Sequence, residues 1–321
     1  MAKIAFIEHK FSNSSLSLLA ATNKIMAEYA RQNYRLTLRQ LYYQMIARDL
    51  FPVEWVDPQT GTKNNIKNYK RFGDLINNGR LAGHLDWDYI EDRARETVFP
   101  SFWSSPASIV EACAQQFRFD KWKNQPNHIE VMVEKDAVSG ILAPVCSRLQ
   151  VRFTANRGYA SSSLFYEVSQ RLSDKMRDGK KVIILYFGDH DPSGMDMTRD
   201  IIDRMGIFTF DADIEVRRLA LNMEQVEQWN PPENPAKETD SRFTDYRDQY
   251  GESCWELDAV EPRDLAKLVT DEVESLRDDD LWAEAVEKED DAKARLNLVA
   301  ETMKQEDEEN EEDAEDSEDD D

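Results

Sequence analysis

The run VIILYFGDHDPSGMD, Val182 to Asp196, constrains the fold of this chain more than any other stretch. Val182 to Tyr186 are apolar and rich in β-branched and aromatic types, the pattern of a strand buried on both faces. The strand gives way at Gly188 to two acids one residue apart, Asp189 and Asp191. Alternate residues of an extended segment point the same way, so both carboxylates can face one point beyond the strand. Pro192 then opens a helix at its first turn, where a missing N–H costs nothing. Parallel α/β sheets place their sites at the carboxyl ends of their strands. A close set of carboxylate oxygens suits a hard cation such as Mg²⁺, with Mn²⁺ as a substitute.

HIEVMVEK, His128 to Lys135, is a second strand-like run, apolar at Ile129, Val131 and Val133 and ending in Glu134. A helical pattern follows from Ala137 to Leu149. Strands are thus predicted at 129–134, 151–154, 181–187 and 215–221, with helices at 137–149, 161–177 and 193–205 between them. Such alternation implies an α/β fold with a mainly parallel sheet covered by helices. A glutamate after one strand and D-x-D after a later one resembles the Toprim domain of topoisomerases, primases and some nucleases. That resemblance implies Glu134, Asp189 and Asp191 as metal ligands, with Glu134 also catalytic. The alternative for the two aspartates is helix capping.

Upstream, Ser14 to Arg31 shows helical spacing. In TLRQLYYQMIARDL, Thr37 and Gln40 form a capping box that starts a helix. Leu38, Leu41, Tyr42 and Met45 make the apolar stripe, which sends Tyr42 to the core. Tyr43 lies about 100° further round, over Arg39 at i−4. DPQTGTK, Asp57 to Lys63, is a turn-rich loop of the kind that forms the wing of a winged helix. Asn64 to Leu81 is again helical, with Ile66, Tyr69, Phe72, Leu75 and Ile76 expected inward. Lys67, Lys70, Arg71 and Arg80 remain for another face, as on a DNA recognition helix; a solvated charged face is the alternative.

The R-x-x-Y-Y stretch resembles the nucleophile motif of the topoisomerase VI A subunit and the related meiotic double-strand-break protein. In length the chain is most similar to the stand-alone "mini-A" proteins of phages, plasmids and bacteria. The resemblance implies a CAP-like winged-helix domain before the Toprim domain, with Tyr43 as nucleophile and Arg39 beside it. An acid usually follows that arginine; here Gln40 stands there. RGYASSS, Arg157 to Ser163, occupies the place of a glycine-bearing loop near the metal, and GHLDWDYIEDRAR looks like the end of the first domain. CWELDAVEPRDL resembles a late segment whose acid, matching Glu256, supports the metal site. PPENPAKETDSR, Pro231 to Arg242, is expected to be a loop.

The chain's net charge of −24 is unevenly spread. Met1 to Asn127 holds 17 Lys and Arg against 13 Asp and Glu, so nucleic acid would lie at the amino end. Gln305 to Asp321 holds 13 acids and no base, which reads as a disordered tail. Three cysteines with no C-x-x-C pair fit a reducing compartment. With neither signal peptide nor apolar span, a soluble cytoplasmic protein is expected, in a nucleoid or a phage-infected cell. The expected segments are a nucleophile domain at 1–100, a linker helix at 101–127 and the metal-binding domain at 128–265. Charged helices at 266–304, broken near Asp278 to Asp280, would precede the tail.

The resemblance implies Mg²⁺-dependent cleavage of double-stranded DNA through a 5′-phosphotyrosyl link at Tyr43. It further implies a homodimer in which Tyr43 of one subunit works at the metal site of the other. Strand passage would need a separate ATPase subunit, since this chain has no Gly-rich phosphate loop. Two alternatives are a hydrolytic Toprim nuclease of phage defence or counter-defence, with Tyr43 only packing, and a non-enzymatic DNA-binding protein with a vestigial site.

Overall fold

A computed structural model describes residues 3, 5–90, 100–156, 162–209 and 213–318. Arg157 to Ser161, most of the expected glycine-bearing loop, and Glu91 to Arg95 of GHLDWDYIEDRAR lie outside these. The chain forms two compact units, Met1–Ala94 with His128–Ser275, and Arg95–Asn127 with Leu276–Asp321. The nucleophile and metal-binding segments predicted as separate domains thus share one unit.

In the first unit, α1 (Asn13–Ala30) starts at Ser12, whose hydroxyl accepts from the Ser15 amide at 3.2 Å. The predicted capping box opens α2 (Leu38–Ala47): the Gln40 side chain accepts from the Thr37 amide at 2.9 Å, and the Thr37 hydroxyl from the Gln40 amide at 3.3 Å. Gln40 therefore fills the place where the resembled motif has an acid by serving the helix start. Asn65 caps α3 (Ile66–Leu81). These helices enclose a core of Leu19, Ile25, Met26, Leu41, Tyr42, Met45, Phe72 and Ile76. Ile66 departs from expectation and is 68% exposed, because it sits at the first helical position beside a cavity. The Asp57–Thr62 loop closes on itself, Asp57 donating to the Thr62 carbonyl at 2.9 Å. No strand pair is built there among the described residues, so the expected wing is a loop.

After α4 (Pro106–Gln116), β1 (Asn127–Val133) begins the sheet. It continues through α5 (Ser139–Arg148), β2 (Arg152–Ala155), α6 (Ser162–Arg177), β3 (Lys181–Phe187), α7 (Pro192–Thr209) and β4 (Ile214–Ala220). The strands form a four-stranded parallel sheet in the order β2-β1-β3-β4, which makes the fold α/β. Helices α6 and α7 pack on Val182, Ile184 and Tyr186 of β3, while α5 packs on β2. Every residue from Val182 to Phe187 is buried, as a strand covered on both faces requires.

Beyond α8 (Met223–Trp229), the expected Pro231–Arg242 loop contains a short strand, β5 (Glu233–Pro235). After α9 (Phe243–Tyr250), β6 (Ser253–Trp255) pairs with it antiparallel. Pro235 within it does not prevent this, since an edge strand can leave donors unpaired. Helix α10 (Pro262–Ser275) packs on α5 and β4. The break predicted near Asp278 precedes α11 (Asp279–Glu318). That helix extends over most of the stretch expected to be disordered, where glutamate and alanine are good helix formers.

In the second unit α4 packs along α11. Ser105 caps α4 through a capping box with Ser108, and Pro106 takes the first turn, where a missing N–H costs nothing. Trp122 meets Trp282 edge to face at 5.8 Å, and buried Glu289 accepts from the Phe119 amide, Lys121 and Lys293.

Candidate active site

Everything at this site starts from the turn after β3. The Gly188 amide donates to the Ala220 carbonyl at 2.8 Å, and the Glu134 amide to Phe187 at 2.8 Å, so β1 and β4 clamp the strand end. The Asp189 amide then donates to Glu134 Oε2 at 2.9 Å, bringing two of the predicted ligands together. Asp189 Oδ1 accepts from the Leu257 amide at 2.8 Å. Asp191 Oδ1 caps α7, accepting from the Gly194 amide at 2.6 Å and the Ser193 hydroxyl at 3.0 Å. Helix capping thus holds for Asp191 but not for Asp189.

Two side chains that the sequence does not single out hold this turn. Arg218 of β4 donates to the carbonyls of Asp189 at 2.6 Å, Gly194 at 2.9 Å, Gly188 at 3.1 Å and Leu221 at 3.2 Å. His190 is buried among Tyr246, Tyr250 and Trp255, and its backbone exchanges two 2.9 Å hydrogen bonds with Trp255. Burial lowers its imidazole to about 4, so it is neutral at pH 7.

The N-terminal helices supply the opposite wall. Tyr43 is only 3% exposed, although helical periodicity places it on a surface; segments far along the chain cover it. Its Oη lies 3.2 Å from Arg39 Nη2 and 3.3 Å from Asn234 Nδ2, both donors. Arg39 in turn pairs with Glu256 at 2.6 Å and with fully buried Asp258 at 2.9 Å. Lys135 bridges Glu256, at 2.5 Å, and Asp189. Arg39, Tyr43, Glu134, Asp189, Asp191 and Glu256 all line one cavity of about 510 Å³. Its volume lies within the range of ligand pockets.

The electrostatics are those of crowded carboxylates. Burial, then neighbouring acids, raise Asp189 well above the ordinary carboxylate range, and burial with Asp191 also raises Glu134. Asp258 is raised by burial despite Arg39. Glu256 is lowered, because Lys135 and Arg39 outweigh its burial. Burial, followed by Glu256 and Asp258, raises the Tyr43 phenol above the ordinary tyrosine range. The Cys254 thiol in the same wall is pushed up to about 12 by burial and is no nucleophile at neutral pH.

The site fits a divalent cation in charge and donor type: oxygen ligands, mutual repulsion, and two acids whose ionised forms need compensation. Among the described residues, however, no three His, Cys, Asp or Glu side chains stand as a ready-made ligand set. Lys135 neutralises Asp189 in this arrangement.

On α3, Lys67, Lys70 and Arg71 are exposed, and Arg71 also stacks on Trp55 at 4.2 Å. Arg80 differs: its guanidinium donates to the Trp87 and Ile90 carbonyls and lies on the Trp87 ring, so its charge serves the fold. Sequence reasoning misses Asp258, Lys135, Asn234 and Arg218. The alternating acids of Glu256-Leu257-Asp258 repeat the D-x-D spacing and could have flagged Asp258.

No family model, no curated protein and no solved structure matches this chain.

Proposed function

We propose that this protein is a Mg²⁺-dependent, DNA-cleaving transesterase of the topoisomerase VI A type, with Tyr43 as nucleophile. One observation carries the reading: Tyr43 and Arg39 share a single cavity with Glu134, Asp189, Asp191 and Glu256. On this reading the parallel sheet is a Toprim domain, and the N-terminal helices are a winged helix whose wing is a loop. A homodimer to cut both strands, a separate ATPase subunit for strand passage, and cytoplasmic action on DNA belong to the same proposal.

Phosphodiester cleavage needs a nucleophile in line and charge neutralisation at phosphorus and at the leaving oxygen. The Tyr43 oxygen attacks phosphorus as the bond to the 3′ oxygen breaks. The phenol releases its proton to solvent, and the departing 3′ oxygen takes one up. Arg39 and Asn234, both donating toward the Tyr43 oxygen, would hold the phenolate. Glu134, Asp189 and Asp191 would hold Mg²⁺, which supplies Lewis-acid stabilisation of the charge on the scissile phosphate. Lys135, which pairs with both Asp189 and Glu256, would compete with the cation for Asp189.

A hydrolytic nuclease is the second reading, favoured by one observation: Tyr43 is deeply buried, with its phenol held protonated. Supercoiled DNA incubated with Mg²⁺ or Mn²⁺ and quenched with SDS separates the two. For transesterification we expect protein attached to 5′ ends, absent in Tyr43→Phe and in Asp189→Ala. Free ends, made equally well by Tyr43→Phe, would move the protein to the hydrolytic nucleases.

A further inference from the structure

We infer that a second cavity, about 440 Å³ and lined chiefly by α2 and α3, seats a non-scissile backbone phosphate of the strand that Tyr43 attacks. This rests on the transesterase reading and adds a subsite to it. The groups that meet the phosphate belong to the same N-terminal helices as Tyr43, so the assignment holds whichever chain supplies the acids.

Arg39 and Tyr69 line both this cavity and the one that contains Tyr43, so the two spaces adjoin. Their charge differs. Four acids line the first, whereas among the described residues no Asp or Glu lines the second. Its polar groups are Thr37, Arg39, Asn77 and Arg80, each able to donate a hydrogen bond. Arg39 is engaged by Glu256 and Asp258, but Arg80 has no such partner. Arg80 Nη2 donates to the Trp87 and Ile90 carbonyls, and among the described residues no carboxylate pairs with the guanidinium. Its Nε is buried with no hydrogen-bond partner. Carbonyls and the Trp87 ring tie the guanidinium to the fold without cancelling its charge. Burial accordingly lowers it from the ordinary arginine range, with Asp86 opposing only in part. A phosphate would supply both the missing counter-charge and the missing acceptor.

The spacing suits a nucleic-acid strand. Leu38 opens α2 at the cavity, and Tyr43 follows about 7–8 Å further along the axis, at about 1.5 Å per residue. Phosphates of one strand advance about 3.4 Å each along a duplex. A strand whose scissile phosphate meets Tyr43 therefore brings another, two or three steps away, to the start of α2. The positive end of the helix favours an anion there as well. Gly73 keeps the space open, since a Cβ on it would already stand 3.2 Å from Leu38 Cδ2. Such a contact positions the strand without reading its sequence. Held at a second phosphate, the scissile one stays in line with the Tyr43 oxygen.

Two variants that spare the Arg80 contacts test this. Asn77→Asp sets a carboxylate three residues before Arg80, where helix neighbours pair, and gives the guanidinium a resident counter-ion in place of the phosphate. Gly73→Met fills the cavity with an uncharged, helix-favouring side chain. Gln115→Glu, at an exposed position of α4, controls for charge alone. Binding of a labelled DNA duplex is followed by fluorescence anisotropy across a salt series, without divalent metal, after thermal melts have shown each variant folded. Both cavity variants should bind at least fivefold more weakly, and the slope of log K against log salt should be shallower by about 0.9, the share of one phosphate. Gln115→Glu should bind as wild type does. Unchanged affinity and slope in a folded cavity variant would overturn the subsite, and so would an equal loss in Gln115→Glu. Nicking of supercoiled DNA judges the function reading separately. A wild type that shows the expected binding differences yet never cleaves would remove the transesterase and keep the phosphate subsite.

Discussion

Arg39 reaches Glu256 and Asp258 with one guanidinium, while Tyr43 Oη rests against the same Nη2. Arginine's planar fork suits that role, and lysine's point charge would not serve it. Removing the guanidinium would strand a buried carboxylate, a change of the kind that costs about 3–5 kcal/mol. His190 presents the opposite case, a base kept neutral by burial. Its folded value of about 4 lies below the ordinary 6.5, so the unfolded chain binds the proton more readily between those values. Stability from this residue is complete above pH 6.5 and declines as pH falls toward 4. Urea unfolding should therefore show a loss of about 2 kcal/mol between pH 7 and pH 5 attributable to His190. In His190→Gln that share of the pH dependence should vanish; an unchanged slope would show that the imidazole does not titrate in this window.

The turn from β3 into α7 is built for backbone proximity. A Cβ on Gly194 would stand 2.3 Å from the Asp189 carbonyl oxygen, and one on Gly188 3.0 Å from Glu134 Oε2. Gly194→Ala must push the D-x-D turn off Glu134, and we expect a loss of about 1–3 kcal/mol with cleavage abolished. Ser193→Ala, which removes only a 3.0 Å hydrogen bond to Asp191, should stay within about 1 kcal/mol of wild type in the same melt. Local signals made the elements around this turn readable. Val182 to Tyr186 announced the central strand, and Thr37 and Gln40 the start of α2. Long-range packing was not readable. Nothing near Tyr43 in sequence indicates that Asn234 will meet its hydroxyl or that Asp258 will pair with Arg39, and the prolines of Pro231 to Arg242 hid a strand that pairs with β6. Periodicity likewise sent Ile66 inward, though it opens a helix at a cavity mouth.

At the scale of the whole molecule, charge has to be reconciled with the DNA substrate proposed above. A chain of net charge −24 repels a polyanion at long range, so binding must come from a local basic surface. Lys67, Lys70 and Arg71 project from α3, whereas Arg80 is occupied by carbonyls. Replacing those three by alanine should weaken binding to all DNA sequences alike. The slope of log K against log salt should fall by about 0.9 for each phosphate that is no longer neutralised, measured by fluorescence anisotropy across a salt series. A binding slope untouched by the triple variant would place DNA on another face. Among the described residues no helix is long and apolar enough to cross a membrane.

The second unit joins α4 to α11, two helices separated along the chain by the whole sheet. During synthesis α4 therefore emerges roughly 160 residues before its partner, a delay of about 10–30 s at ordinary ribosome speeds. Over that interval the sheet and its acids can already fold, while the apolar side of α4 waits uncovered. A ribosome stalled once Ser275 has cleared its exit tunnel would thus present a finished first unit and an unfinished helix pair.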